Sequence, residues 1–333
     1  MLAAAAVAFC SFASPAAAEP HSTSARVRIV TIRYRAHDGV ARRAYVVLPA
    51  WYGRHNDPPI PLVISPHGRG VTALANAALW GHLPARGGFA VVSPAGEGRI
   101  LQLYSWGSPG QISDLARMPT IVHLALPWLH VNQHRVYAVG GSMGGQEVLL
   151  LLARHPHLLA GVAAFDSVTQ FALQYHHFTR VPCDEACLNT WNGPVGRSLQ
   201  QLARIEVGGS PKTDEAGYAE RSPYTYARAI ADSCVPLELW WSLKDRIVTD
   251  QSLQSGKLFT RIRELNPRAP VTAFVGEWSH SIEMTPQAQL PAALTLFGLL
   301  PADRTVLLAA TQIIPAAQHT CGKAPISVSP ESG

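Results

Sequence analysis

The sequence predicts an α/β domain, a mostly parallel sheet with helices on both faces, opened by an antiparallel hairpin. Three observations predict it. Two alternating segments, "RVRIVTIRYRA" (26–36) and "RRAYVVLPA" (42–50), flank an "HDG" turn, the pattern of a hairpin with one buried face. Short apolar runs then alternate with helix-period segments as far as residue 300. Such alternation builds parallel sheets, because each return to the same sheet edge needs a crossover the length of a helix. Finally, the 333 residues are 47% hydrophobic and 15% charged, enough apolar material for one large core.

Taken in order, "PLVISPHGRG" (61–70) is a buried strand ending in glycines, "TALANAALWGHLPARG" a helix behind it, and "FAVVSPAG" the next strand. "ISDLARMPTIVHLALPWL" is a long amphipathic helix. "RVYAVGGSMGG" (135–145) is a strand that runs into a glycine cluster, followed by the helix "GGQEVLLLLARHP" and the strand "LAGVAAFDSV". Residues 168–230 break the rhythm and are too long for a plain loop, so a cap-like insertion is expected there. "VPLELWWSLKD" (235–245), "QSLQSGKLFTRIREL", "PVTAFVGEWSH" and "PQAQLPAALTLFGLL" resume with strand, helix, strand and helix. With no repeat and no low-complexity linker, one domain over 26–300 is expected, and 301–333 reads as a C-terminal tail.

The opening "MLAAAAVAFCSFASPAAAEP" differs from the rest. Its apolar stretch is too short to cross a bilayer as a helix and ends in Ala16-Ala17-Ala18, an A-x-A cleavage pattern. Residues 1–18 are therefore expected to be a cleaved export signal; its usual basic start is missing, which leaves the true start codon open. The expected location is secreted or periplasmic, with no other membrane segment. Export leaves Cys183, Cys187, Cys234 and Cys321, an even set in an oxidising compartment, for which three pairings are open. A zinc reading fails because "CDEAC" has no second close Cys or His pair. The net charge of +5 is spread along the chain, with no basic run longer than Arg42-Arg43, which excludes a nucleic-acid footprint. The composition leaves the oligomeric state open.

Chemistry concentrates at Ser142. Gly140-Gly141-Ser142-Met143-Gly144 has the spacing G-x-S-x-G between a strand and a helix. There it forms a sharp turn that lifts the hydroxyl above the sheet and aims helix N–H groups at developing negative charge. A serine needs a base, and the base an orienting carboxylate. His280 ends the last strand, in "GEWSHS". Asp245 directly follows the penultimate strand, in "KDRIV", with Asp166 as its rival after the strand that succeeds Ser142. Asp250 reads as an N-cap. The expected oxyanion hole combines the Met143 N–H with one from Gly68 or Arg69 in "SPHGRG", with His67 bracing that loop. Phe171, Tyr175, Phe178 and Trp191 either line an acyl pocket or form the insertion's own core.

With "HGRG", "GGSMGG", "KDRIV" and "WSH" in this order over residues 26–300, the chain resembles the α/β-hydrolase family, in its branch of secreted esterases, dienelactone hydrolases and prolyl-oligopeptidase-like enzymes. The resemblance implies a hydrolase forming an acyl-enzyme on Ser142, acting on a small-molecule or polymeric ester without cofactor or metal. "HGRG" departs from the full glycine-rich motif of some lipases, which leaves the second oxyanion donor open. No β-propeller segment precedes the catalytic part in this sequence, so a peptidase is the alternative to an esterase. A non-catalytic binding protein on the same fold is a second alternative.

Overall fold

The computed structural model describes residues 26–99, 102–181, 196–280, 284–302, 311–317 and 321. The expected export signal, Cys183, Cys187 and Trp191 lie outside the described residues. The hairpin pairs β1 (Val27–Arg35) with β2 (Ala41–Pro49), and a mostly parallel sheet follows. Its further strands are β3 (Ile60–Ile64), β4 (Ala90–Pro94), β5 (Val131–Gly141), β6 (Gly161–Phe165), β7 (Leu237–Ser242), β8 (Val271–Gly276) and β9 (Gln312–Ile314). The strand order is β1-β2-β4-β3-β5-β6-β7-β8-β9, with β3 through β8 parallel.

The central strands are apolar on both sides, as a sheet covered by helices requires. Successive residues go to opposite faces. Leu62 and Ile64 of β3, Val162 and Ala164 of β6, and Leu237 and Leu239 of β7 enter one core. Val63, Ala163, Phe165, Trp240 and Phe274 enter the other. Each fully buried aliphatic side chain contributes about 1.5–3 kcal/mol of transfer free energy. On the second face, Trp240 stacks between Phe165 (centroids 5.5 Å) and Phe274 (3.7 Å). This ladder fastens β6, β7 and β8 together.

Helices α1 (Ala73–Leu79) and α2 (Leu83–Gly87) cover the second face. They replace the single helix expected over 72–87, because the chain turns at Gly81, where φ is +50°. Helices α3 (Pro109–Ala125) and α4 (Met143–Arg154) cover the first. Between β6 and β7 lie α5 (Phe171–His177), α6 (Arg197–Val207), α7 (Glu215–Glu220) and α8 (Ala227–Asp232). Ala227, Ile230 and Ala231 of α8 belong to the main core. Helices α9 (Ser255–Leu265) and α10 (Leu290–Leu296) complete the layers.

The expected tail is partly structured. β9 pairs antiparallel with β8 (Ala273 opposite Ile314) and protects the sheet edge. Cys321 is disulfide-bonded to Cys234, just before β7. That bond picks one partner for Cys234 out of the three pairings open in the sequence.

Candidate active site

Ser142, Asp166, Asp245 and His280 follow β5, β6, β7 and β8, four neighbouring strands in the sheet. All four are therefore delivered to the C-terminal edge, where parallel sheets gather their chemistry. Ser142 immediately precedes α4 with φ +57° and ψ −120°, a region that non-glycine residues occupy only under strain. Its N–H donates to the Phe165 carbonyl at 2.8 Å, which pins the turn to β6. The flanking glycines are required by close approach. A Cβ on Gly140 would lie 2.4 Å from the Gly144 carbonyl oxygen, and one on Gly144 would lie 2.5 Å from that of Pro66. Met143 opens the helix, so its amide has no intrahelical acceptor.

His280 and Asp245 are buried and joined. The imidazole Nδ1 donates to Asp245 Oδ2 at 2.7 Å. Asp245 is held in turn by the Ile247 and Val248 N–H groups on Oδ1 (2.8 and 3.0 Å) and by the Gln251 amide on Oδ2 (3.3 Å). Donation from Nδ1 to a carboxylate leaves Nε2 as the basic nitrogen of the neutral ring. Burial pulls the His280 pKa down, but the Asp245 charge and hydrogen bond and the Asp166 charge outweigh it, against an opposing Arg69, and leave it above the usual 6.5. Asp166, Asp245 and His280 each present a donor atom within 4.8 Å of the others.

The loop after β3 packs on the Ser142 turn. A Cβ on Gly68 would lie 3.9 Å from the Gly141 carbonyl oxygen. Two of the loop's amides are already used, Gly70 N–H on the Leu103 carbonyl (3.1 Å) and Val71 N–H on that of Gly68 (3.2 Å). His67 is buried, and its Nδ1 donates to the Gly68 carbonyl at 2.9 Å, consistent with a bracing role. Burial lowers its pKa and keeps it neutral. Arg69 is buried beside the site, and burial lowers its pKa as well. His280, Ser279, Lys244, Arg246 and Ile247 line a cavity of about 160 Å³.

Asp250 is not the expected N-cap. It occupies the turn before α9 with φ +58°, and its carboxylate meets Arg180 at 3.3 Å, while Gln254 takes the cap position. Phe171, Tyr175 and Phe178 are buried against Tyr104, Trp106, Tyr218 and Met143. Trp106 lies 5.7 Å from Phe171 and 5.8 Å from Phe178. These aromatics thus form a core of their own, anchored on the residue next to Ser142, rather than an open pocket lining.

The sequence reading missed Glu147. This buried residue of α4 accepts the Ser105 hydroxyl and the Gln111 amide, and burial pushes its carboxyl up to about 7. Its neighbour Gln146 donates to the carbonyls of Trp106 (3.3 Å) and Arg221 (2.7 Å). Together they hold the 104–108 loop against α4. The signal for both was a Gln-Glu pair set beside the run "VLLLL".

No protein-family model matches this sequence, and no curated protein sequence matches it either. Solved structures do match. The acylaminoacyl peptidase of Pyrococcus horikoshii superposes with a TM-score of 0.58 at 15% identity, over 83% of this chain and 41% of its own. The S-formylglutathione hydrolase of Staphylococcus aureus gives 0.56 at 15% identity, over 82% and 99%. An esterase of Pyrobaculum calidifontis gives 0.53 at 15% identity, over 76% and 75%. The chain spans about two fifths of the peptidase's length. At these identities the likeness is one of fold, and the chain has the α/β-hydrolase fold.

Proposed function

We propose that this chain, built on the α/β-hydrolase fold, is an exported serine hydrolase that cleaves carboxylic esters through an acyl-enzyme on Ser142. The observation that carries the reading is the buried 2.7 Å bond from His280 to Asp245, on the sheet edge where Ser142 heads α4. In the proposed cycle, His280 Nε2 takes the Ser142 proton as Oγ attacks the acyl carbon. The protonated imidazole then gives that proton to the departing alcohol, and water repeats the sequence on the acyl-enzyme. Asp245 holds the tautomer and balances the imidazolium. The oxyanion meets the Met143 N–H and a second donor from Gly68 or Arg69.

The solved structures that share the fold include an S-formylglutathione hydrolase and an acylaminoacyl peptidase, so ester and peptide are the two substrate classes to separate. The disulfide between Cys234 and Cys321 supports an oxidising compartment, and among the described residues no helix is long and apolar enough to cross a membrane. The segment over α5–α7 has an aromatic core that includes Met143, the residue after Ser142, which supports a part for it in shaping the acyl site. Matched p-nitrophenyl ester and peptide p-nitroanilide substrates test the choice. The expected result is a kcat/KM at least about a hundredfold higher on the ester, and the reverse ranking would make it a peptidase.

A pH profile follows from the environment of the base. Only the neutral imidazole accepts the serine proton, so activity is present above the His280 pKa and lost as pH falls through it. Because that pKa is raised above 6.5, the acid limb of kcat/KM should have its midpoint on the alkaline side of 6.5. A midpoint near 5 would remove the influence of the carboxylates.

A further inference from the structure

We propose that Asp166 is a second carboxylate working on the His280 imidazole, a positioning residue that shares with Asp245 the stabilisation of the imidazolium. The proposal rests on His280 being the base, and its test separates the two. Asp166 follows β6 and is fully buried. Its backbone adopts φ +42°, a left-handed conformation unusual outside glycine. Two bonds to β7 fix it there. Its N–H donates to the Trp240 carbonyl at 2.8 Å, and its Oδ1 accepts the Ser242 N–H, also at 2.8 Å. The Phe165–Trp240–Phe274 stack lies directly beneath this attachment.

This placement brings an oxygen of Asp166 within 4.8 Å of both an Asp245 oxygen and a His280 nitrogen. Two buried carboxylates that close repel each other, and a positive charge between them removes the repulsion. Proton transfer from Ser142 supplies that charge, because it turns the ring that approaches both carboxylates into an imidazolium. The division of labour follows from the contacts. Asp245 bonds Nδ1 directly and sets the tautomer, while Asp166 adds field. Arg69 opposes it, and Lys244 and Arg246 line a cavity together with His280. Sequence order alone made Asp166 and Asp245 alternatives; the structure puts both on one histidine.

Asp166→Asn keeps an oxygen for the Ser242 N–H and deletes only the charge. Its acid limb of kcat/KM should move about one pH unit lower, as expected for losing one charge at this distance, with KM unchanged. Added to Asp245→Asn, it should lower kcat further by about a hundredfold, more than it costs alone, because the reserve carboxylate is then missing. Asp166→Gly, which suits φ +42°, gives the same limb shift should the asparagine variant fold poorly. An unmoved limb, or a double variant equal to the product of the singles, overturns the proposal. His280→Ala separates the underlying reading. If that variant keeps activity with the same acid limb, the base is another group and the proposal falls with it. If it is inactive, an unmoved limb in Asp166→Asn counts against Asp166 alone.

Discussion

Ser142→Ala will reduce ester hydrolysis by about a millionfold in kcat, to the level that binding and oxyanion contacts sustain without a nucleophile. The variant removes one oxygen. Alanine at φ +57° carries the same backbone strain as serine, the Ser142 N–H bond to Phe165 is made by the main chain, and the Oγ caps nothing in α4. Its unfolding midpoint should therefore match the parent's. Activity within a factor of ten of the parent, in protein of unchanged melting temperature, would remove Ser142 from the chemistry.

His280→Ala should cost about as much as losing the serine, and combining the two should cost little more, because nucleophile and base act as one unit. It also leaves the Asp245 carboxylate buried without its imidazole. Three other donors, the Ile247 and Val248 amides and Gln251, still satisfy that carboxylate, so the fold should survive with a moderate loss of stability. Measured kcat for the two single variants and the double variant checks this. Multiplicative losses would mean that serine and histidine work independently.

Much of this was legible in the sequence because it follows from local rules. Period-two and helix-period runs gave β1 to β8, since central strands must be apolar on both faces and crossovers must be helical. The G-x-S-x-G spacing located the Ser142 turn, where backbone collision leaves only glycine at 140 and 144. Asp245 and His280 were read from their places at strand ends. What escaped depends on tertiary contact. β9 is three residues long and has an edge to pair with only once β8 is built. Helix α8 sits in an irregular stretch but packs into the main core. The break between α1 and α2 depends on one left-handed glycine within an apolar run. Glu147 looks like an ordinary acid until its burial is seen, and Asp166, legible only as a rival to Asp245, turns out to lie within 4.8 Å of it, an approach that spacing does not write.

Covalent labelling reads out directly whether Ser142 is an activated nucleophile. A fluorophosphonate reacts when a serine Oγ made nucleophilic by its base attacks phosphorus and expels fluoride; an unactivated hydroxyl does not react. After incubation with the probe, digestion and mass spectrometry, the adduct is expected on the peptide containing "GGSMGG", at Ser142. Labelling should fade as pH falls through the His280 limb, and the Ser142→Ala and His280→Ala variants should stay unlabelled. A folded protein that takes no label at any pH, or takes it on another serine, would contradict the account.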